Sequence, residues 1–140
     1  MLYPKKVKFR KWQKNRQNPK FIGTETRGTS LSFGSFGLKA TSYDQLTSNQ
    51  IESARKVIAR SVGKTGRIWI RVFPDRPFTQ KAAEVPMGKG KGEPQGFCVD
   101  VLPGRIIFEV DGIPEETARE ALRKAGTKLP VKAKVVGRTH

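Results

Sequence analysis

Residues 47–62 carry the strongest structural signal in the chain, an amphipathic helix. Its apolar stripe, at helical spacing, consists of Ile51, Ala54, Ile58 and Val62. Thr47 is a typical N-cap, Gln50 completes a capping box, and Gly63 marks the end. A helix with one apolar face must bury that face against another layer, so the fold requires a sheet or a second helix beside it.

Patterns typical of β-strands lie on both sides of this helix. Residues 67–73 alternate at period two, which predicts a strand with both faces occupied. Residues 31–38 form an apolar pattern interrupted by glycine, which predicts a strand that is bulged or closely approached by another backbone. Residues 97–102 and 105–110 are also β-rich, and Pro103-Gly104 between them predicts a type II turn and a hairpin.

A second helix and a last strand complete the pattern. Pro114 at the first helical position and Gly126 beyond the last turn delimit the helix. Its apolar stripe consists of Ala118, Ala121, Leu122 and Ala125. Residues 131–136 then predict a strand with Lys132 and Lys134 turned outward. This order of elements predicts an α+β fold.

Positive charge dominates the surface chemistry. The chain has 28 Lys and Arg against 12 Asp and Glu, a net charge of +16, and residues 1–20 carry eight basic side chains and no acidic one. Such a field attracts polyanions, so nucleic acid is the expected partner. We predict a basic arm over residues 1–22, a single RNA-binding domain over 23–137 and a short tail over 138–140.

A long segment rich in proline and glycine, residues 74–96, separates two predicted strands and is the expected functional loop. Its Gly/Lys run, residues 87–92, invites a nucleotide-binding interpretation. The spacing is not that of a P-loop, and Glu93-Pro94 follows where a helix would have to begin. Contact with an RNA phosphate path is favoured, with a merely solvated loop as the alternative.

Catalytic and metal chemistry lack candidate residues. The single histidine is His140 at the chain end, and Cys98 lies in a predicted strand without a second thiol, so it is expected to be a core residue. We therefore expect no enzyme activity, no cofactor and no small-molecule substrate. No apolar stretch is long enough for a transmembrane helix. The start of the chain lacks a signal peptide's apolar region, so cytoplasm rather than an organelle matrix or a membrane is expected.

Trp69 has two open interpretations. Between Arg67 and Arg71 on one strand face it could stack a base, as aromatic residues on the sheets of RNA-binding proteins do. Tryptophan is more often packed in a protein interior, and here it could lie beneath the N-terminal arm.

Five segments in order resemble the L sixteen family of bacterial ribosomal large-subunit proteins: residues 4–11, 33–40, 67–75, 87–92 and 112–116. The resemblance implies a hammerhead-type two-layer fold with a mixed or antiparallel sheet. It also implies binding to large-subunit rRNA near the base of the central protuberance, and proximity to tRNA at the aminoacyl site. The chain departs from the family at Pro86, where arginine is usual, and at Phe97, where tryptophan is usual.

The predicted contacts follow from the basic segments and from this resemblance. The predicted rRNA-binding residues are Lys5, Lys6, Lys8, Arg10, Lys11, Lys14, Arg16, Lys56, Arg60, Arg67, Arg71, Lys132 and Lys134. The predicted tRNA-proximal residues are Arg76, Lys81, Met87, Gly88, Lys89, Gly90 and Lys91. Neighbouring ribosomal proteins are further expected partners. The alternatives are a free RNA chaperone or translation regulator, and a nucleotide-dependent enzyme that uses the glycine loop.

Overall fold

The structure, a computed structural model, describes Leu2, residues 24–79 and residues 94–138. Within these residues the elements are β1 Phe36–Ala40, β2 Asp44–Thr47, α1 Ser48–Val62, β3 Arg67–Ile70, β4 Arg76–Thr79, β5 Pro94–Val101, β6 Ile106–Asp111, α2 Glu115–Gly126 and β7 Ala133–Gly137. The predicted α+β class is confirmed.

The strands form two antiparallel sheets. The larger has four strands in the order β3-β6-β1-β7, and the smaller has three in the order β2-β5-β4. In the larger sheet Leu38 of β1 lies opposite Phe108 of β6 on one side and Val135 of β7 on the other. Strand β1 is therefore an interior strand whose partners come from the last third of the chain.

The two helices cover one face of the larger sheet. Both predicted apolar stripes are buried, and they share a core with Leu38, Phe108 and Val110 of the sheet. The predicted capping box is present, with the Gln50 N–H donating to Thr47 Oγ1 at 3.3 Å and the Thr47 N–H donating to Gln50 Oε1 at 3.0 Å. Among the described residues, no helix is long and apolar enough to cross a bilayer.

The predicted hairpin across Pro103-Gly104 is wrong. The turn forms, with the Arg105 N–H donating to the Leu102 carbonyl at 3.2 Å and Gly104 at a φ of 103°. The two strands nevertheless belong to different sheets, since β5 pairs with β2 and β4 whereas β6 pairs with β1 and β3. A turn of this type splays the strands that flank it, because its twist opposes theirs. The Gly104 N–H donates to the Ala40 carbonyl at 2.8 Å instead.

Two predicted boundaries also differ from the structure. The strand predicted over residues 67–73 ends at Ile70. The loop predicted over residues 74–96 has β4 at one end and the start of β5 at the other, with Arg76 opposite Cys98. Strand β4 is an edge strand, where the missing N–H of Pro77 is tolerated. Because proline usually indicates a loop, the sequence did not predict this strand.

Residues 31–35 do not continue β1 as predicted, but the expected close backbone approach is confirmed. A Cβ atom at Gly34 would lie 2.5 Å from the carbonyl oxygen of Val110 in β6. The Ser35 N–H donates to that same oxygen at 3.0 Å. The register of β1 against β6 also shifts between Leu38 and Lys39, beyond the two glycines.

We expect Gly34→Ala to destabilise the protein by about 1–3 kcal/mol, because the added methyl group would collide with backbone rather than with a flexible side chain. The matched control is Gly126→Ala in α2, where a Cβ would lie 3.8 Å from the nearest Leu38 atom, an ordinary contact. Urea unfolding of both variants, followed by circular dichroism, measures the difference. Equal stability of the two variants would contradict the close approach at Gly34.

Candidate nucleic-acid interface

The larger sheet has a second face, directed away from the helices, which we call the outer face. Side chains alternate between the two sides of a strand, so the strand register assigns residues to each face. The outer-face residues of the four strands include Arg67, Trp69, Glu109, Gly37, Lys39 and Lys134. Positive and aromatic side chains therefore share this face with two carboxylates, those of Glu109 and Asp111.

The Glu109 carboxylate is fully buried at the centre of the outer face. Its Oε1 atom accepts three hydrogen bonds from consecutive backbone N–H groups, those of Ser32 at 3.0 Å, Phe33 at 3.0 Å and Gly34 at 2.9 Å. Its Oε2 atom accepts a hydrogen bond from the guanidinium of Arg71, just beyond β3. One side chain thus ties residues 32–34 and Arg71 to β6.

Glu109 remains ionised in this environment. Burial opposes its negative charge and would raise the pKa, but the N–H groups of Gly34 and Phe33 and the Arg71 guanidinium stabilise the charge. The net effect is a pKa below the ordinary value for glutamate. The carboxylate is therefore a fixed acceptor at neutral pH.

An aromatic cluster lies beside this carboxylate. The rings of Phe33 and Trp69 are stacked, with centroids 5.9 Å apart and an interplanar angle of 19°. The Arg71 guanidinium carbon lies 5.3 Å from the centroid of the Phe33 ring, within cation–π range. Phe33 is nevertheless 55% exposed, an unusual state for a large apolar side chain that is fixed in place.

Further cations surround the cluster. Arg138, at the end of β7, donates from Nη2 to the Gly34 carbonyl at 2.9 Å. It also lines a groove of about 800 Å³ together with Lys39, Ser30 and Leu31. Arg105 lies just before β6. Its Nη2 atom donates to the Arg71 carbonyl at 3.1 Å, and its Nη1 atom donates to the Arg27 carbonyl at 3.3 Å.

The predicted rRNA contacts in the described part of the chain fall into three groups. Arg67, Lys132 and Lys134 are exposed on or next to the outer face. Arg71 lies there too, but its charge is paired with Glu109. Lys56 and Arg60 are exposed on α1, a helix that covers the other face of the sheet, so the predicted set does not form a single surface.

Arg76 does not occupy the predicted loop. It lies in β4, is only 6% exposed, and its Nη1 atom contacts Asp100 Oδ2 at 2.6 Å. The remaining predicted contacts fall in segments that the structure does not describe. They are Lys5, Lys6, Lys8, Arg10, Lys11, Lys14 and Arg16 of the arm, and Lys81, Met87, Gly88, Lys89, Gly90 and Lys91 of the loop.

A second basic surface lies between the helices. A groove of about 420 Å³ near the ends of α1 and α2 is lined by Arg60, Lys124 and Lys128 together with Thr127 and Ser61. Arg60 was predicted as an RNA contact, whereas the two lysines were not. Residues far apart in sequence form this groove, so no local pattern indicates it.

Acidic residues of α2 form ion pairs within the helix, and Cys98 is a core residue as predicted. In α2, Glu115 pairs with Arg119 at 2.9 Å and Glu120 pairs with Arg123 at 2.7 Å. Cys98 is buried in β5. Across residues 24–79 and 94–138, no group of three or more His, Cys, Asp or Glu side chains could hold a metal ion.

Sequence analysis missed Glu109 and Phe33 as organisers of the outer face. A signal for Glu109 was present, because a lone acid within the apolar run of residues 106–110 requires a partner when buried. The sequence pattern predicts Phe33 to be part of a strand. Its exposure depends on the path of residues 30–35 over the sheet, which no local pattern encodes.

Comparison with known proteins gives a consistent match over the full chain. Residues 4–136 match the family described as "Ribosomal protein L16p/L10e". Proteins named "Large ribosomal subunit protein uL16" are 53% identical in Halorhodospira halophila, over 99% of this chain and 98% of the relative, and 53% identical in a Polaromonas species, over 99% and 97%. In Parabacteroides distasonis the identity is 51%, over 99% and 93%.

We expect Glu109→Gln to lower the free energy of unfolding at neutral pH by about 1–3 kcal/mol, because buried donors lose their charged acceptor. The folded-state pKa of Glu109 is depressed, so its stabilising effect is present above the unfolded-state pKa and is lost as the pH falls through the folded-state value. The difference in free energy of unfolding between wild type and variant should therefore shrink below about pH 4.3. Urea unfolding across this range measures it, with exposed Glu115→Gln as the control. A gap that stays constant with pH would contradict the assignment.

Proposed function

Because this chain belongs to the ribosomal protein L16p/L10e family, we propose that it is a structural constituent of the large ribosomal subunit and performs no catalysis of its own. The observation that carries this proposal is the family match over residues 4–136, together with relatives above 50% identity that span nearly all of the chain. The net charge of +16 fits a protein surrounded by RNA phosphates.

Binding to large-subunit rRNA is assigned to the outer face and the basic arm, near the base of the central protuberance. Arg67, Lys134 and Arg138 are exposed cations on or beside the larger sheet, where RNA phosphates can reach them. The arm supplies further cations from residues 5–16. If these groups neutralise on the order of 6–10 phosphates, the affinity falls by orders of magnitude between about 50 and 200 mM salt.

Contact with tRNA at the aminoacyl site is assigned to the loop that joins β4 and β5. Its Gly/Lys run carries Lys89 and Lys91, and the glycines between them allow a close approach of the backbone to another surface. The two strands at its base pair antiparallel, with Arg76 opposite Cys98. This pairing brings the two ends of the segment, Thr79 and Pro94, next to each other.

Ultraviolet crosslinking in cells, followed by sequencing of the attached RNA, tests the proposal. We expect crosslinks concentrated on large-subunit rRNA, with a smaller share on tRNA, and co-sedimentation of nearly all copies with large subunits in the cytoplasm. Crosslinks scattered over messenger RNA, with most copies free of ribosomes, would instead identify a free RNA chaperone or translation regulator.

We expect the double variant Lys89→Ala, Lys91→Ala to reduce tRNA affinity at the aminoacyl site while leaving subunit incorporation unchanged, because two cations are lost from the loop alone. The matched control, Lys89→Arg with Lys91→Arg, retains both charges and should bind tRNA normally. Filter binding of tRNA to purified mutant ribosomes measures the effect. Normal tRNA affinity in the alanine variant would contradict the assignment of tRNA contact to this loop.

A further inference from the structure

We propose that Phe33 is a stacking platform for an unpaired RNA base, an inference that rests on the proposed function and specifies the ligand of the outer face. The Phe33 side chain is 55% exposed although its ring is stacked against Trp69. Exposing a large aromatic ring to water is unfavourable, and burying it against a partner recovers that free energy. An exposed ring in a fixed position is therefore suited to a ligand.

The Phe33 ring is held in place before any ligand arrives. Trp69 stacks against it at 5.9 Å, and Arg71 lies 5.3 Å from its centroid. Its backbone N–H donates to Glu109, as do those of the residues on either side. A pre-organised ring loses little conformational entropy on binding, so more of the stacking free energy appears as affinity.

The charges around Phe33 favour a nucleotide over an apolar protein segment. Arg67, Lys39 and Arg138 lie on or beside the same face. The Asp111 carboxylate interacts with both Arg67 and Arg138 but carries only one negative charge, so an apolar partner would still bury uncompensated positive charge. An unpaired nucleotide instead offers both a π-face for the ring and phosphates for the cations. Base-paired nucleotides cannot use the platform, because their faces are already stacked within the helix.

The proposal assigns the stacking role to Phe33 rather than to Trp69. Trp69 is only partly exposed, and Phe33 is stacked against it. The tryptophan therefore supports the platform from the protein side. This arrangement combines the two interpretations of Trp69, since it is packed within the protein and yet contributes to an RNA-binding site.

Binding of the full-length chain to a short oligouridine and to an RNA duplex of equal length tests the platform. We expect Phe33→Leu to weaken oligouridine binding about ten-fold and to leave duplex binding unchanged, because leucine keeps an apolar side chain but has no π-face. Phe33→Tyr should retain the wild-type affinities for oligouridine and for the duplex, because tyrosine keeps the aromatic ring. Phe73→Leu, at another exposed phenylalanine, is the matched control and should bind both RNAs as the wild type does.

Fluorescence gives a second readout that does not depend on changing Phe33. In a Trp12→Phe background, emission comes from Trp69 alone, and saturable quenching by oligouridine but not by the duplex is expected. Wild-type oligouridine affinity in Phe33→Leu, or absence of this quenching, would overturn the platform while leaving the proposed function intact. Failure of the wild type to bind either RNA would overturn both the platform and the assignment of RNA binding to the outer face.

Discussion

The ionised carboxylate of Glu109 organises the outer face of the larger sheet. Burying a charge is costly unless it is fully compensated, and here three backbone N–H groups and the Arg71 guanidinium provide the compensation. The same bonds satisfy the backbone donors of residues 32–34, of which Gly34 is buried. The exposed ring of Phe33 and the orientation of Arg71 therefore both depend on one side chain.

Sequence analysis predicted the helices well because their signals are local. The stripes of α1 and α2, the capping box at Thr47 and the end at Gly63 all lie within a few residues of the backbone that they shape. The family resemblance drawn from five short segments is also confirmed. Strand partners were less predictable, because pairing depends on residues far apart. Pro103-Gly104 predicted a turn correctly, but the strands on either side of it, β5 and β6, belong to different sheets.

The sequence predicts the candidate site as a list of cations, and the structure shows which of them are already paired with acids. Arg67 and Lys134 are exposed, whereas Arg71 and Arg76 are paired with buried or partly buried acids. Burial and the nearby Asp100 raise the pKa of Tyr43, so its hydroxyl remains a donor to the carboxylate that Arg76 also contacts. Composition reveals the total charge of a chain, but only the packing shows which charges are already neutralised within the protein.

The pairing of β1 with both β6 and β7 determines when the protein can fold during its synthesis. Residues 36–40 leave the ribosome early but find their partners only once residues 106–110 and 133–137 have been made. The larger sheet is therefore completed last, and contacts of such long range slow folding. Until then β1 presents unpaired backbone edges that can associate with other chains. A nascent chain that stalls before β6 is made thus leaves both edges of β1 open to aggregation.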